Sequence, residues 1–290
     1  MTGTTGTTST TTAHVPFASR VWTAAAPALA AYGKTAAMAA TALTGGSLFF
    51  LLDYVLRFLR VAVLLAVWRA VLAGRGPDAE MSLPSVLTYT LVGAAFGRQL
   101  AARTGLDDLL WSGAITSHLM RPMNLVGQLV AQMAGGWLFG FAFFSSPLLA
   151  AAPLLGVNPL PAGAGAAALF CLSLGLAVAV AVALDFIMGA LTVAYGWNRW
   201  DVERLRAAVS ALLSGAVVPL ALLPWGLGAV LEWLPFASMA WAPLSIYSGA
   251  RAGAAALRLL ALQVGWALAL AVLAHRLWRA NRQKVVIYGG

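Results

Sequence analysis

Apolar runs of about twenty residues recur along most of this chain, and they constrain its fold more than any other feature. A run of this length can cross a bilayer as an α-helix. Hydrophobic residues make up 61% of the sequence and charged residues only 9%, whereas a soluble domain carries about 25% charged residues. A β-barrel would need short segments that alternate between apolar and polar residues, and the runs here are continuously apolar. The sequence therefore predicts an all-α, polytopic membrane protein.

Six runs are predicted to cross the membrane, and two different segments precede them. Residues 1–20 are rich in threonine and are predicted to be disordered. Residues 21–43 are alanine-rich and weakly hydrophobic, so they are predicted to form a helix along the cytoplasmic membrane surface. Residues 21–290 would form the transmembrane domain, with spans at 47–73, 84–104, 124–150, 164–195, 206–224 and 256–278.

Basic residues predict the orientation of these spans. The chain has a net charge of +9 and 18 Lys and Arg residues. Fourteen of them precede or begin span one, flank the second-to-third loop, sit in or at the end of the fourth-to-fifth loop, or close the chain at and after the end of span six. Because cytoplasmic loops are enriched in Lys and Arg, both termini are predicted to be cytoplasmic in a multi-pass protein of the cell membrane. The positive charge thus needs no nucleic-acid partner to explain it.

Prolines interrupt the apolar stretch between spans five and six, residues 224–249. Each proline removes a helical hydrogen bond, so this stretch is predicted to be a re-entrant or cap segment on the extracellular side rather than a span. The candidate cap residues are Pro224, Trp225, Glu232, Trp233, Pro235 and Phe236.

Catalytic and metal-binding patterns are absent from the sequence. None of the three histidines has a His or Cys partner at metal-ligand spacing, and the single Cys171 cannot form an intrachain disulfide. Gly33-Lys34-Thr35 lacks the earlier glycine of a phosphate-binding loop, because Ala28 stands at that position. The chain is therefore predicted to be neither an enzyme nor a metal protein, and to hold no cofactor itself.

Charged residues inside predicted spans are the next candidates for function. Asp53 and Arg57 are four residues apart and can pair on one helical face. Asp185 lies in span four with no basic residue nearby in the sequence. It is a candidate for the substrate path, where it would attract a cation. The alternatives are a helix-end carboxylate near the head groups, or a partner for an arginine on another helix.

The stretch WSGAITSHLMRPMN, residues 111–124, is too polar to cross a membrane and is placed in the cytoplasm. Apolar residues from 106 to 113 follow helical spacing, and Pro122 is expected to end a helix just before it. We predict one cytoplasmic helix over residues 106–120. The alternative is a loop that lies on the membrane surface.

Several of these stretches together suggest a family. The first span ends in AVWRAVLAG, the second-to-third loop reads LLWSGAITSHLMRPMN, residues 213–249 contain SGAVVPLALLPW and LPFASMAWAPLSIYSG, and the chain closes with Gly289-Gly290. In this order they resemble the permease subunits of ABC-2 type transporters, in the group that includes proteins assigned to viologen export. The likeness runs from about residue 30 to the end, and residues 213–249 are its most specific part. Ile115-Thr116-Ser117 departs from it, since an acidic residue is expected near that point.

The resemblance implies a half-transporter of six helices with an N-terminal elbow helix at 21–43. It implies that two permeases pair, as a homodimer or with a paralogous chain, and that separate ATPase subunits bind ATP and Mg. Residues 106–120 would be the coupling helix. ATPase contacts are expected at Trp111, Gly113, Ile115, His118, Leu119 and Arg121. The implied activity is export of a hydrophobic or amphiphilic compound or lipid, with cationic compounds among the candidates.

A secondary transporter or an assembly scaffold is the alternative function. A secondary transporter often has internally repeated halves and ion-binding residues near mid-membrane, and the sequence shows no convincing repeat. A scaffold would not stimulate ATP hydrolysis in a reconstituted complex, whereas a permease would.

Overall fold

A computed structural model describes residues 30–38, 48–74 and 81–288. All regular secondary structure in these ranges is helical, which confirms the all-α class. The predicted tail over residues 1–20 lies outside the described residues, and so does most of the predicted elbow helix over 21–43.

The helices vary widely in length, and two short departures from α-helix interrupt them. A π-helical turn, Phe141–Ser145, separates two of the α-helices, and a 3₁₀ turn, Leu220–Leu222, follows another. In chain order the α-helices are α1 (30–38), α2 (Leu48–Leu72), α3 (Leu83–Ala95), α4 (Gly97–Leu100), α5 (Leu106–Trp111), α6 (Ile115–Leu119), α7 (Leu125–Gly140), α8 (Ser146–Ala151), α9 (Ala164–Tyr195), α10 (Arg199–Leu213), α11 (Leu227–Leu231), α12 (Trp241–Tyr247) and α13 (Gly253–Tyr288).

Three stretches in the described ranges are long and apolar enough to cross a membrane. They are Leu125–Ala151, which joins α7, the π-turn and α8, then α9, and α13 as far as Asn281. α3 is apolar but shorter, with 13 residues. α2 is long enough at 25 residues, but four charged side chains interrupt its apolar surface. These helices occupy five of the six predicted spans.

The fifth predicted span, residues 206–224, is not one helix. α10 ends at Leu213, and residues 214–218 form bends before the 3₁₀ turn. Gly215 has a φ of 77°, which a side chain would disfavour, and Pro219 cannot donate a helical hydrogen bond. The apolar composition that suggested a span is real, but it does not reveal this break.

Other parts of the protein donate hydrogen bonds to the backbone carbonyls at the break. The Tyr89 hydroxyl donates to the Gly215 carbonyl at 2.7 Å, and the Trp241 amide donates to the Ser214 carbonyl at 2.9 Å. Tyr89 and Trp241 are each 1% exposed. Non-helical backbone at membrane depth persists where protein surrounds it, and here α3 and α12 provide that surrounding.

α9 lies at the centre of the bundle and packs extensively along α13. A fully buried polar contact fixes the two helices in register. Ser173 Oγ donates to Gln263 Oε1 at 2.8 Å, and Gln263 Nε2 donates to the carbonyls of Ser173 and Ser238 at 3.0 and 2.8 Å. Since buried amides are costly unless they are paired, this contact specifies which faces of α9 and α13 meet.

α1 lies against α7, where two glycines permit close approach. A Cβ on Gly135 would overlap the backbone of Ala36, and one on Gly127 would lie 2.8 Å from the Tyr32 hydroxyl. The described part of the predicted elbow helix is therefore seated on the predicted third span.

The predicted cap segment contains α11 and α12 joined by turns, with Glu232 at its centre. Glu232 is 5% exposed and accepts a hydrogen bond from Trp241 Nε1 at 2.9 Å. It also forms ion pairs with Arg251, at 3.3 Å, and with Arg258. One buried carboxylate thus joins the turn after α11 to α12 and to the first turns of α13.

We expect Gly228→Ala to destabilise the protein by about 1–3 kcal/mol, the usual cost of overpacking. A Cβ at Gly228 would overlap the carbonyl oxygen of Leu220, so the backbone itself must move. Thermal unfolding of the purified protein would measure the loss. Gly265→Ala on α13 is the control, because a Cβ there meets no atom within 4 Å. Equal stability of the two variants would contradict the close approach of α11 to the 3₁₀ turn.

Candidate functional site

The segment between α4 and α7 forms two short helices, and the single helix predicted over residues 106–120 is wrong in this respect. α5 ends at Trp111 and α6 begins at Ile115. Gly113 lies between them with a φ of 71°, in the left-handed region that interrupts a helix. Helical spacing up to Gly113 gave no sign of this conformation, which only the local backbone reveals.

α5 is seated on α9 through its apolar face. Leu106 is fully buried and Leu110 is 6% exposed. A Cβ on Gly189 of α9 would lie 3.0 Å from Leu106 Cδ2 and 3.5 Å from Leu110 Cδ1. Glycine at this position therefore lets α5 approach α9 closely.

α6 is seated on α7 through polar contacts. Gln128 is fully buried, and its Nε2 donates to the carbonyls of His118 and Met123 at 3.1 and 3.0 Å. The His118 ring has Nδ1 3.2 Å from the Ala114 carbonyl and Nε2 3.3 Å from Gln132 Nε2. This geometry assigns the proton to Nδ1, so that Nε2 accepts from the amide of Gln132. Gln128 and Gln132 are four apart and present one polar face of α7 to α6.

Asp185 has an arginine partner on another helix, which was one of the alternatives that the sequence left open. Its Oδ1 is paired with Arg206 of α10, and its Oδ2 accepts hydrogen bonds from the amide of Thr104, at 2.8 Å, and from the Thr104 hydroxyl. Arg206 also donates to the Ala102 carbonyl at 3.0 Å. Asp185 is 6% exposed, so the isolated charge that suggested a cation-attracting role is neither isolated nor open.

A second ionic contact links the same elements nearer the surface. Arg103 pairs with Asp107 at 3.0 Å and with Glu203 of α10. Together with Asp185 and Arg206, these residues fix the loop before α5 to both α9 and α10.

The predicted ATPase contacts divide between two faces of the α5–α6 segment. Trp111 is 65% exposed and Leu119 51% exposed, and Met120 beside them is 86% exposed. Arg121 is also exposed, and Gly113 is half-buried. Ile115 and His118 are 1% and 8% exposed, because they pack inside this chain. ATPase contacts at these two positions stay predictions, and within this chain both side chains help to fix α6.

The predicted cap residues also divide by exposure. Trp225 is 92% exposed and Trp233 is 57% exposed, whereas Glu232 is buried. Pro224 is exposed, and Pro235 and Phe236 are half-buried. The tryptophans thus present apolar surface outward while Glu232 holds the segment from within.

Several residues of the site were not identified from the sequence. Thr104, Arg206, Gln128 and Gly189 each have a partner at least 10 residues away along the chain. Only Gln128 and Gln132 gave a local signal, as two amides four apart in an otherwise apolar helix.

No curated protein and no solved structure matches the chain. One family model does match it. The model for ABC-2 family transporter proteins matches residues 83–289, which covers α3 to α13 and includes the whole α5–α6 segment. This match confirms the resemblance read from the sequence. The chain therefore belongs to the ABC-2 family of transporter proteins.

Proposed function

We propose that this chain is the permease subunit of an ATP-driven exporter. Separate ATPase subunits bind the solvent-exposed face of its α5–α6 segment. One observation carries the proposal. The segment is fixed by buried contacts to α7 and α9 and by ion pairs to α10, yet it presents Trp111, Leu119 and Met120 to solvent. A rigidly seated element with an exposed apolar face is suited to receive force from a partner protein.

The proposed topology has six crossings with both termini in the cytoplasm. Asp185 lies 21 residues after the start of α9, or about 32 Å along the helix, so it would reach the cytoplasmic edge of a 30 Å hydrocarbon layer. Arg206, near the middle of α10, pairs with Asp185 close to that edge, and the chain after α10 reaches Tyr89, only six residues from the start of α3. α10 and residues 214–222 together would therefore make the fifth crossing.

The remaining parts follow from membership of the family. The permease is the membrane component and is not itself the ATPase, so ATP and Mg would be bound by partner subunits. A second permease would complete the pathway, and residues 224–249 would cap it outside. Membership of the ABC-2 family argues against a non-ABC secondary transporter, and neither such a transporter nor a scaffold would need a docking face for an ATPase.

Cysteine labelling tests the topology. In a Cys171→Ser background, Leu154→Cys should react with an impermeant maleimide in intact cells, because Leu154 is 90% exposed in the loop between α8 and α9. Met120→Cys, at a position 86% exposed, should react only after permeabilisation. Reaction of both from the same side would contradict the six-crossing arrangement.

Substitution of exposed residues in the α5–α6 segment tests whether the ATPase binds there. Trp111→Glu and Met120→Glu should each lower co-purification of the ATPase at least about tenfold, since a charge would replace an apolar contact. The fold should be unaffected, because both side chains are more than half exposed. Leu154→Glu is the matched control for an exposed apolar residue on the other side. Unchanged docking in both variants would show that the ATPase binds elsewhere.

In this proposal Asp185 and Arg206 are positioning residues that make the loop before α5 move together with α9 and α10. Asp185→Asn should lower stability by about 3–5 kcal/mol, because it leaves Arg206 with a buried and unpaired charge. Docking should persist in the folded fraction, while export per ATP hydrolysed falls. The matched control is Asp53→Asn, whose pair with Arg57 at 2.8 Å is half exposed and worth about 0.5 kcal/mol or less.

The measurements are thermal unfolding and the ratio of transported compound to phosphate released in proteoliposomes. A loss confined to cationic compounds, with stability and the transport ratio for neutral compounds unchanged, would contradict the positioning role. It would instead support Asp185 as a cation site.

A further inference from the structure

A large apolar cavity lies between α7, α9 and α13, separate from the contacts of Asp185, Gln128 and Gly189 described above. Its volume is about 830 Å³, within the range of small-molecule sites. Its wall is built mainly from Gly175, Val178, Ala179, Val182 and Ala271. Among the described residues, its polar side-chain atoms belong to Asn124, His275 and the indole of Trp278, and no acidic side chain lines it.

The polarity of the cavity changes along the membrane normal of the proposed topology. Gly175 lies 11 residues after the start of α9, or about 17 Å along that helix, near mid-bilayer. His275 lies 22 residues after the start of α13, or about 33 Å along it, at the cytoplasmic edge. Asn124 caps the cytoplasmic start of α7. The cavity is thus apolar where lipid chains lie and polar where head groups lie.

The polar end favours an anionic group. Asn124 Oδ1 already accepts hydrogen bonds from the amides of Val126 and Gly127, at 2.9 and 3.4 Å. Its NH₂ group therefore remains as the donor available to a ligand. The same end has the positive end of the α7 dipole, and the exposed Arg276 follows His275 along α13. The nearby Asp185 is neutralised by Arg206 and does not line the cavity.

We propose that this cavity binds an anionic amphiphile that enters from the inner leaflet. Its alkyl chain lies along Gly175 and Ala179, and its phosphate or carboxylate head lies at Asn124 and His275. Leu119 of α6 forms part of the wall near the head group, so the coupling segment borders the site directly. The orientation in the membrane rests on the proposed function, whereas binding itself does not require transport.

The test measures binding of tritiated hexadecyl phosphate to the full chain with its ATPase subunits, in phosphatidylcholine nanodiscs without nucleotide. Gly175→Leu should abolish saturable binding, because its side chain occupies the cavity. A Cβ at Gly175 meets no atom within 4 Å, so the fold has room for the substitution. Gly265→Leu on α13 is the matched control, since it also has open space and does not line the cavity.

Asn124→Asp tests the head-group end separately. An aspartate keeps the helix cap but removes the NH₂ donor and adds a like charge, so it should weaken binding at least about tenfold. Hexadecyltrimethylammonium should compete poorly. Parent-like binding by Gly175→Leu or Asn124→Asp with unchanged melting temperatures, or equal competition by the ammonium compound, would overturn the proposal.

The same preparation separates this inference from the proposed function. Saturable, Gly175-dependent binding without ATPase docking at Trp111 and Met120 would support the site and refute the coupling role. ATPase docking and hydrolysis without any such binding would support the coupling role and refute the cavity site.

Discussion

Lipid offers no hydrogen bonds to a broken helix, so each break near the bilayer must be closed by the protein's own polar groups. Two breaks here depend on this constraint. Tyr89 and the amide of Trp241 close the backbone at Ser214 and Gly215, and Asp185 with Arg206 closes the loop at Ala102 to Thr104. α10 runs between these two sets of hydrogen bonds. It therefore connects the loop before α5 to α3 and α12.

The buried ion pair at Asp185 also determines the charge of its surroundings. A lone carboxylate at this depth would attract cations or take up a proton. Asp185 is paired with Arg206 and hydrogen-bonded to Thr104, so it instead fixes the backbone of the loop before α5. Among the described residues, no acidic side chain lines the apolar cavity beside α9. The pairing with Arg206 therefore favours the arginine-partner alternative for Asp185 over a place on the substrate path.

Hydrophobic length was sufficient to predict the long helices from the sequence. α2, α9 and α13 begin within three residues of the predicted spans, because each apolar run is bounded by polar or turn-forming residues. Composition could not reveal that residues 206–224 divide, because the break depends on the left-handed backbone of Gly215 and on partners in α3 and α12. Nor could it show which face of α6 is inward, since this depends on Gln128 and Gln132 of α7, which contact His118.

Because of the break at Gly113, the two helices of the α5–α6 segment pack against different helices. α5 contacts α9 at Gly189, and α6 contacts α7 at Gln128. A single continuous helix would pass the same displacement to both spans and leave their separation unchanged. Two short helices joined by a left-handed glycine can move relative to each other, because the hydrogen bonds at residues 112–114 join this turn to α5 and to α6 separately. The cavity lies between those spans, with Leu119 in its wall. A partner that tilts α6 against α5 would therefore change the width of the cavity at its cytoplasmic end, which is the end where a ligand's head group would bind.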